Sequence, residues 1–494
     1  MKIFGIDLGT TNSCISVCEN GEVNVLENEE GLKTTPSVVS VRNKEWLIGD
    51  VAKRQLEANK NTVLSIKRLI GSDAKVELEG KEYRPEFISA KILKYLTSFA
   101  NKKLKENIID VIITVPAHFN DRQRKATKLA GEIAGLRVLR LVNEPTAAAL
   151  SYGIKPDNKG QNILVFDLGG GTFDISILEV DNNDFEVIAT GGDNSLGGDD
   201  WDNVIVEILK KHCLEELKIE KIDRSMQVRL KVAAEKAKKE LSSSLSTKIN
   251  VPFIAIVNNE PVHIDYDLER STFEKLSFEL MKKVEQILIE VLKESKKTTE
   301  SIDKVVLAGG STRMVMVKDF LEKFFGREKI SFSLNVDEAI SIGAAILGDS
   351  IYNEKSSSEI MLMDVTPISL GTSLAEDKYD ILIPKNTSIP ISITKEYTTA
   401  KDFMDEIEID IRQGEDQIAS NNKLIAHFAL KKIQKAESGT PKISCTFKID
   451  VDGILHASAT DLSTNASKTI VVENYLDIDE NEKKSLIKDF SKNK

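Results

Sequence analysis

Two aspartates, Asp7 and Asp167, each end a short Ile/Val-rich run, and each leads into a turn that combines glycine with threonine. The first reads Ile6-Asp7-Leu8-Gly9-Thr10-Thr11, the second Phe166-Asp167-Leu168-Gly169-Gly170-Gly171-Thr172. Glycine lets backbone N–H groups come close to phosphate oxygens and takes up positive φ without strain. Thr10, Thr11 and Thr172 add hydroxyl donors. Asp7, Asp167 and Asp174 suit a hydrated Mg²⁺, which takes few carboxylates, several waters and substrate phosphates. One copy alone reads equally as an ordinary hairpin. Two copies, offset by 160 residues from Asp7 to Asp167, favour two similar lobes facing one cleft.

A third glycine turn, Gly309-Gly310-Ser311-Thr312-Arg313, follows an apolar run. Its backbone could approach a nucleotide, and Arg313 could stack on a base or meet phosphate. A structural turn explains it as well. Lys67, Lys238 and Lys239 are the basic candidates for the phosphate end, but spacing alone puts all three on solvated surface. Neither the G-x-x-x-x-G-K-[ST] loop nor a well-formed G-x-G-x-x-G is present. The five histidines show no metal-ligand spacing. Cys14 and Cys18 lie four apart on a returning strand, a packing arrangement rather than a redox pair. The four cysteines form no CxxC, so reduced thiols and a cytoplasmic location are expected.

These residues must be held by elements. The 494 residues suggest about three compact units. A net charge of −11 argues against nucleic acid or an anionic membrane as the main partner. No apolar run reaches membrane-spanning length, and the N-terminus opens on a strand without a secretory leader. Strand patterns at 3–7, 111–115, 163–167 and 305–308 alternate with helical ones. The clearest helical pattern carries Phe273, Leu276, Leu280, Val284, Ile287, Leu288, Val291 and Leu292. This predicts layered α/β architecture up to about residue 358. From 365 to 473 a two-residue alternation takes over: Ile389, Ile391 and Ile393; Ile407, Ile409 and Ile411; Ile443, Cys445, Phe447, Ile449 and Val451. That predicts antiparallel strands with one wet face. Between the two lies an apolar segment, Ile360-Met361-Leu362-Met363, which should either dock or form a strand edge. A short charged helix is expected over 474–494.

Several longer motifs carry a resemblance: IDLGTTNS (6–13), IKRLIG (66–71), ITVPAHFND (113–121), NEPTAAALSYG (143–153), DLGGGTFD (167–174), GGSTRM (309–314), DVTPISLG (364–371) and DGILHASA (452–459). With them the chain closely resembles the seventy-kilodalton heat-shock protein family, from Ile3 to about Val472. The resemblance implies an actin-like two-lobed α/β ATPase (1–358), a linker (359–364), a peptide-binding β-sandwich (365–473) and a short helical remnant of a lid. It implies phosphate contacts from Thr10, Thr11, Asn12 and the turn Gly169, Gly170, Gly171. Lys67 would sit at the γ-phosphate with Thr172, Glu144 would position the attacking water, and Asp7, Asp167 and Asp174 would serve Mg²⁺ and K⁺. Glu235, Lys238, Lys239, Ser242, Gly310, Ser311, Arg313 and Asp337 would clamp the adenosine of ATP or ADP. Pro116 and Arg124 match an interlobe switch. Arg140, Asn143, Leu362 and Asp364 match interdomain coupling and J-domain co-chaperone positions. Thr372, Leu374, Tyr397, Thr398, Ala400, Ile407 and Ile409 would line a pocket for extended apolar client peptides.

The sequence departs from the family pattern in three places. The stretch between Gly71 and Glu86 is short, which puts dependence on a nucleotide-exchange factor in doubt. The pocket carries Thr372, Ala375, Glu376, Asp377 and Lys378 where larger apolar residues and glycines are usual. The chain ends about twenty residues past the β-domain, so fast peptide exchange is expected even with ADP. Alternatives are the specialised iron–sulfur-assembly branch of the family, a small-molecule kinase on the same scaffold, and an actin-like filament former.

Overall fold

Each of the two Asp-bearing runs becomes the leading strand of a hairpin. Phe4–Asp7 pairs antiparallel with Asn12–Glu19, setting Asp7 opposite Cys14. Gln161–Leu168 pairs antiparallel with Phe173–Asp181, setting Asp167 opposite Asp174. Each leading strand also pairs in parallel with a later one, Asp110–Val115 in the first case and Lys304–Ala308 in the second. The sequence repeat is therefore a topological repeat.

The computed structural model describes residues 2–19, 21–152, 160–331, 335–352, 360–471 and 480–492. The polar stretch at 355–358, the first residue expected of the linker (359) and the start of the expected tail at 474–479 lie outside the described residues. The first sheet runs Arg137–Asn143, Asp110–Val115, Phe4–Asp7, Asn12–Glu19 and Glu22–Val25, with Thr34–Pro36 beside Asn12–Glu19. The second runs Ile330–Ser331, Lys304–Ala308, Gln161–Leu168, Phe173–Asp181, Asp184–Asp193, Met361–Val365 and Ser388–Ile389. Asp110–Val115 is buried along its whole length, as expected of a strand covered on both faces. Each lobe has its own apolar core. A third core, with Ile112, Val142, Val165, Val306, Ala344 and Leu347, joins the lobes.

The single long helix expected around Phe273 to Leu292 is two helices, Arg270–Leu276 and Phe278–Glu294. Ser277 leaves helical geometry between them (φ −87°, ψ 1°). The apolar period carries across the break because both pieces bury their stripe in one core, through Phe273, Val284, Leu288 and Val291.

The alternating region forms two four-stranded antiparallel sheets. One contains Leu370–Ser373, Tyr379–Ile383, Glu406–Gln413 and Lys423–Lys431; the other contains Ile391–Tyr397, Ile443–Ile449, Leu455–Asp461 and Ser467–Val471. Ile383, Ile411, Ile443 and Phe447 fill the space between them. Val451, which continues the alternation in sequence, instead falls in the turn after its strand and is exposed.

The apolar segment does both things open to it. Met361–Val365 adds as an edge strand to the second lobe, parallel to Asp184–Asp193, with Leu362 opposite Phe185. Its other edge pairs with Ser388–Ile389. Leu362 packs on the interlobe core, whereas Met361 stays exposed. The charged tail is the helix Glu480–Lys492, and it lies against the first lobe. Phe490 is buried there, its ring centroid 5.3 Å from that of Phe87 and 4.4 Å from Lys91 Nζ. Lys483 pairs with Glu132 at 2.7 Å. Among the described residues no helix is long and apolar enough to cross a membrane.

Candidate active site

The two glycine turns meet tip to tip. A methyl group on Gly170 would lie 1.8 Å from Thr11 Oγ1, and one on Gly171 would lie 2.5 Å from Thr10 Cγ2. Only glycine permits that approach. Gly169 N–H closes its turn on Thr172 O at 3.1 Å, and Gly169 O accepts from Ser311 Oγ at 2.8 Å, which ties in the third glycine turn. That turn is a one-turn 3₁₀ helix, Gly310–Arg313.

Beneath the tips lie the carboxylates. Thr114 Oγ1 donates to Asp7 Oδ1 at 3.4 Å, and the backbone N–H of His118 donates to Asp174 Oδ1 at 3.2 Å. Oδ2 of Asp167, Oδ2 of Asp174 and Thr11 Oγ1 are buried with no hydrogen-bond partner among the described residues. Burial, reinforced by the nearby Glu144, pushes Asp7 and Asp174 up to about 7. Burial and its neighbours Glu144, Asp174 and Asp7 raise Asp167 well above the usual carboxylate range. Three crowded carboxyls, two of them with an unmet acceptor, form a donor set that calls for a cation. Among the described residues no three His, Cys, Asp or Glu converge on one point to hold a metal directly. Mg²⁺ reached through water and phosphate fits such a set.

Lys67 and Glu144 stand beside them, both buried, with Nζ to Oε1 at 2.5 Å. Lys67 therefore does not lie on a solvated surface, as spacing alone had it. It sits on a one-turn 3₁₀ helix, Ile66–Leu69, that is anchored by Ile66 and followed by Ile70 in the core. Lys238 is a second correction: it is buried, 2.8 Å from both Gly198 O and Asp202 Oδ1. Burial raises Asp202 to about 6 despite that lysine. Lys239 is exposed and pairs with Glu235 at 2.5 Å. Burial alone would raise Glu235, but Lys239 and Lys53 outweigh it and leave the carboxyl low.

A cavity of about 660 Å³ opens between the lobes. Its lining includes Thr10, Thr11, Asn12 and Gly170 from the hairpin tips together with Glu235, Lys238, Lys239, Ser242, Gly310, Ser311, Arg313 and Asp337. Arg313 and Asp337 pair at 2.7 Å. Three separate sequence signals thus share one pocket of a size ordinary for a small-molecule ligand.

A second cluster adjoins the first. Asn143, next in sequence to Glu144, accepts from Arg124 at 2.7 Å. Arg124 is buried and also donates to Ala117 O and Phe119 O, both at 3.1 Å, bracing the turn that begins at Pro116. Its remaining nitrogen reaches Asp452 O in the β-sandwich at 3.4 Å. Asp452 also accepts from Lys128 Nζ at 2.7 Å and from Leu141 N–H at 3.1 Å, and Asp121 Oδ1 accepts from Leu455 N–H at 2.8 Å. Asp364 is buried and accepts from Thr146 Oγ1 at 3.3 Å. Arg140 is held close by; burial lowers it, opposed by Asp452 and Asp364. Sequence reasoning did not find Asp452, Lys128 or Asp121. Asp121 and Asp452 stand inside two of the motifs quoted above, 113–121 and 452–459, and Asp452 also lies in a tight acidic turn, Asp450 to Gly453, but none of these signals gives the residues a partner.

The residues expected to meet peptide fall into three settings. Leu374, Thr398 and Ala400 are exposed, while Tyr397 and Ile407 are half-buried. Thr372 and Ile409 are inside the sandwich, Thr372 donating to Asp410 O at 2.8 Å. Tyr397 donates to Asp380 Oδ2 at 2.7 Å, bridging the two sheets.

Against known proteins, the family model described as Hsp70 protein matches residues 3–78 and 72–494. A Chaperone protein DnaK of Mycoplasma mobile is 47% identical over 494 residues, all of this chain and 82% of that relative. Those of Mycoplasmoides gallisepticum and Mycoplasmopsis synoviae are each 46% identical, over all of this chain and 84% and 82% of the relative. With its matched hairpins, its interlobe pocket and an antiparallel sandwich bonded to the first lobe, the chain belongs to the Hsp70 family of ATP-hydrolysing chaperones.

Proposed function

We propose that ATP binds with its phosphates between the two hairpin tips and its adenosine against Glu235, Arg313 and Asp337 of the cavity, and that its hydrolysis controls peptide affinity in the β-sandwich. The observation that carries this reading is continuity. Glu144, paired with Lys67 at 2.5 Å, is next in sequence to Asn143, which Arg124 holds at 2.7 Å, and Arg124 reaches Asp452 O of the sandwich at 3.4 Å.

In this reading Lys67 neutralises charge building on the γ-phosphate and Glu144 orients the attacking water, with Thr172, Thr10, Thr11 and Asn12 donating to phosphate oxygens. Catalysis is then positioning and electrostatics without a covalent step. Asp7, Asp167 and Asp174 would hold Mg²⁺ through water, where it supplies charge neutralisation across the phosphates; K⁺ would share that acidic floor. When the γ-phosphate draws Lys67 from Glu144, the strain passes to Asn143, the next residue, and so to Arg124 and its sandwich contact. The edge strand Met361–Val365 is the second connection, since its pairing joins the second lobe to Ser388–Ile389 of the β-domain.

The domain limits that go with this reading are 1–358, 359–364, 365–473 and 474–494. Extended apolar segments of unfolded clients are the peptide class, met by Leu374, Tyr397, Thr398, Ala400 and Ile407 once Thr372 and Ile409 are uncovered. A J-domain co-chaperone would act near Arg140, Asn143 and Asp364, in the cytoplasm. The kinase and filament readings explain the cleft but not a sandwich bonded to it. Single-turnover hydrolysis tests the site: Lys67→Ala should slow it about a hundredfold or more while ATP still binds. A rate within about threefold of wild type would contradict the assignment.

A further inference from the structure

Lys67 has a neighbour that no part of this reading uses. On the 3₁₀ helix Ile66–Leu69, Lys67 turns into the first lobe while Arg68 crosses the cleft to the second. One terminal nitrogen of Arg68 donates twice, to Gly171 O at 3.1 Å and to Asp200 Oδ2 at 2.9 Å. Asp200 in turn accepts from Gly197 N–H at 2.8 Å. Gly197 lies directly on the hairpin turn, so that a methyl group there would be 2.5 Å from Gly171 N. The contacts close a ring: Arg68 to Asp200, Asp200 to Gly197, Gly197 to Gly171, and Gly171 back to Arg68. Just before them in both segments, Ser65 Oγ donates to Asp199 Oδ2 at 3.0 Å.

The carbonyl that Arg68 holds belongs to the same peptide group as the N–H of Thr172. A cation bonded to that oxygen polarises the amide and strengthens its N–H as a donor. It also fixes the peptide plane, and with it the direction in which the N–H points. Because Arg68 and Lys67 share one helical turn, the same rigid element carries the lysine of the first lobe and the tether to the second lobe's phosphate turn.

We propose that Arg68 is a positioning residue for phosphoryl transfer, holding the Gly171–Thr172 peptide in register with Lys67 when the lobes close. The proposal rests on the nucleotide site assigned above. Its loss should therefore appear in the chemical step and leave ground-state binding nearly untouched, since the arginine bonds to the turn and not to substrate.

Single-turnover ATP hydrolysis with enzyme in excess, alongside calorimetric titration with ATP and Mg²⁺, separates these effects. Arg68→Gln should slow the chemical step about tenfold or more while the ATP Kd moves less than about threefold. Arg68→Lys should recover only part of the rate, because an ammonium on a shorter reach cannot reproduce a planar donor shared between carbonyl and carboxylate. Asp200→Asn should add little to Arg68→Gln, since both act through one ring. A chemical step within about twofold of wild type in Arg68→Gln, or a loss that lies wholly in Kd, overturns the proposal. If Arg68→Gln does not fold, Arg68→Lys decides by the same criterion. Lys67→Ala run in parallel tells the two levels apart. If it is slow while Arg68→Gln is fast, only the role of Arg68 fails; if both are fast, the site itself is misassigned.

Discussion

Lys67 and Lys238 teach the main lesson at the scale of residues. Charged runs in a sequence are usually solvated, and that rule placed both lysines outside. Burial with a carboxylate partner is what the structure adds, and it depends on Glu144 and Asp202, which lie 77 and 36 residues away. No local pattern encodes such a distance. The glycine turns were legible because their requirement is local: a backbone that must come within contact of another backbone excludes Cβ wherever it occurs. The thiols make a residue-level prediction. Burial raises Cys14 to about 12 and Cys18 and Cys445 to about 11, and it raises Cys213 as well. An acid raised in this way keeps its proton, so at pH 8 the thiolate fraction at Cys18 is about one in a thousand, against roughly one in four for a free thiol. Reaction with a disulfide reagent should be slow in native protein, rise with pH toward 11, and reach four thiols only on unfolding. Rapid labelling of any cysteine at pH 8 would show that the packing around it is wrong.

At the scale of elements, strands were read more securely than helices. The run at 111–115 and the alternation at 406–412 became strands almost residue for residue. One apparent helix split at Ser277, because a buried stripe stays in phase across a break that only the backbone reveals. The C-terminal helix is the element whose position was least readable. Its sequence reads only as a short charged helix, yet it carries an apolar residue, Phe490, that finds Phe87 and Lys91 on the first lobe. Removing that ring should loosen the helix without unfolding the lobe, since truncating a buried Phe typically costs about 3–5 kcal/mol and Phe490 is the helix's buried residue among those described, with Leu486 only partly buried. Hydrogen exchange checks this. In Phe490→Ala, amides of 482–492 should exchange at least about tenfold faster while those of Asp110–Val115 keep wild-type protection. Unchanged exchange in the helix would mean that Phe490 does not hold it.

At the scale of the whole molecule, the sequence showed two lobes, a sandwich and a connector, but not how they touch. The first lobe meets the sandwich through Asp452 with Arg124, Lys128 and Leu141, and Asp121 with Leu455; the second meets it through Glu294 with Lys385 and Asn386, and Thr190 with Asn386. The acidic turn that supplies Asp452 looks like any other β-turn until its partners are seen. An interface this polar, with buried arginine and buried carboxylates, costs desolvation on both sides and is held only while its partners match. It is thus suited to open and close with modest free energy, as coupling between two sites requires. The most direct test is the dissociation rate of a fluorescent apolar peptide, measured with and without ATP in wild type and Asp452→Ala. The account predicts that ATP speeds release at least about tenfold in wild type, and that the variant loses most of this acceleration while still hydrolysing ATP. Release that ignores ATP in wild type, or a variant that responds as wild type does, would contradict it.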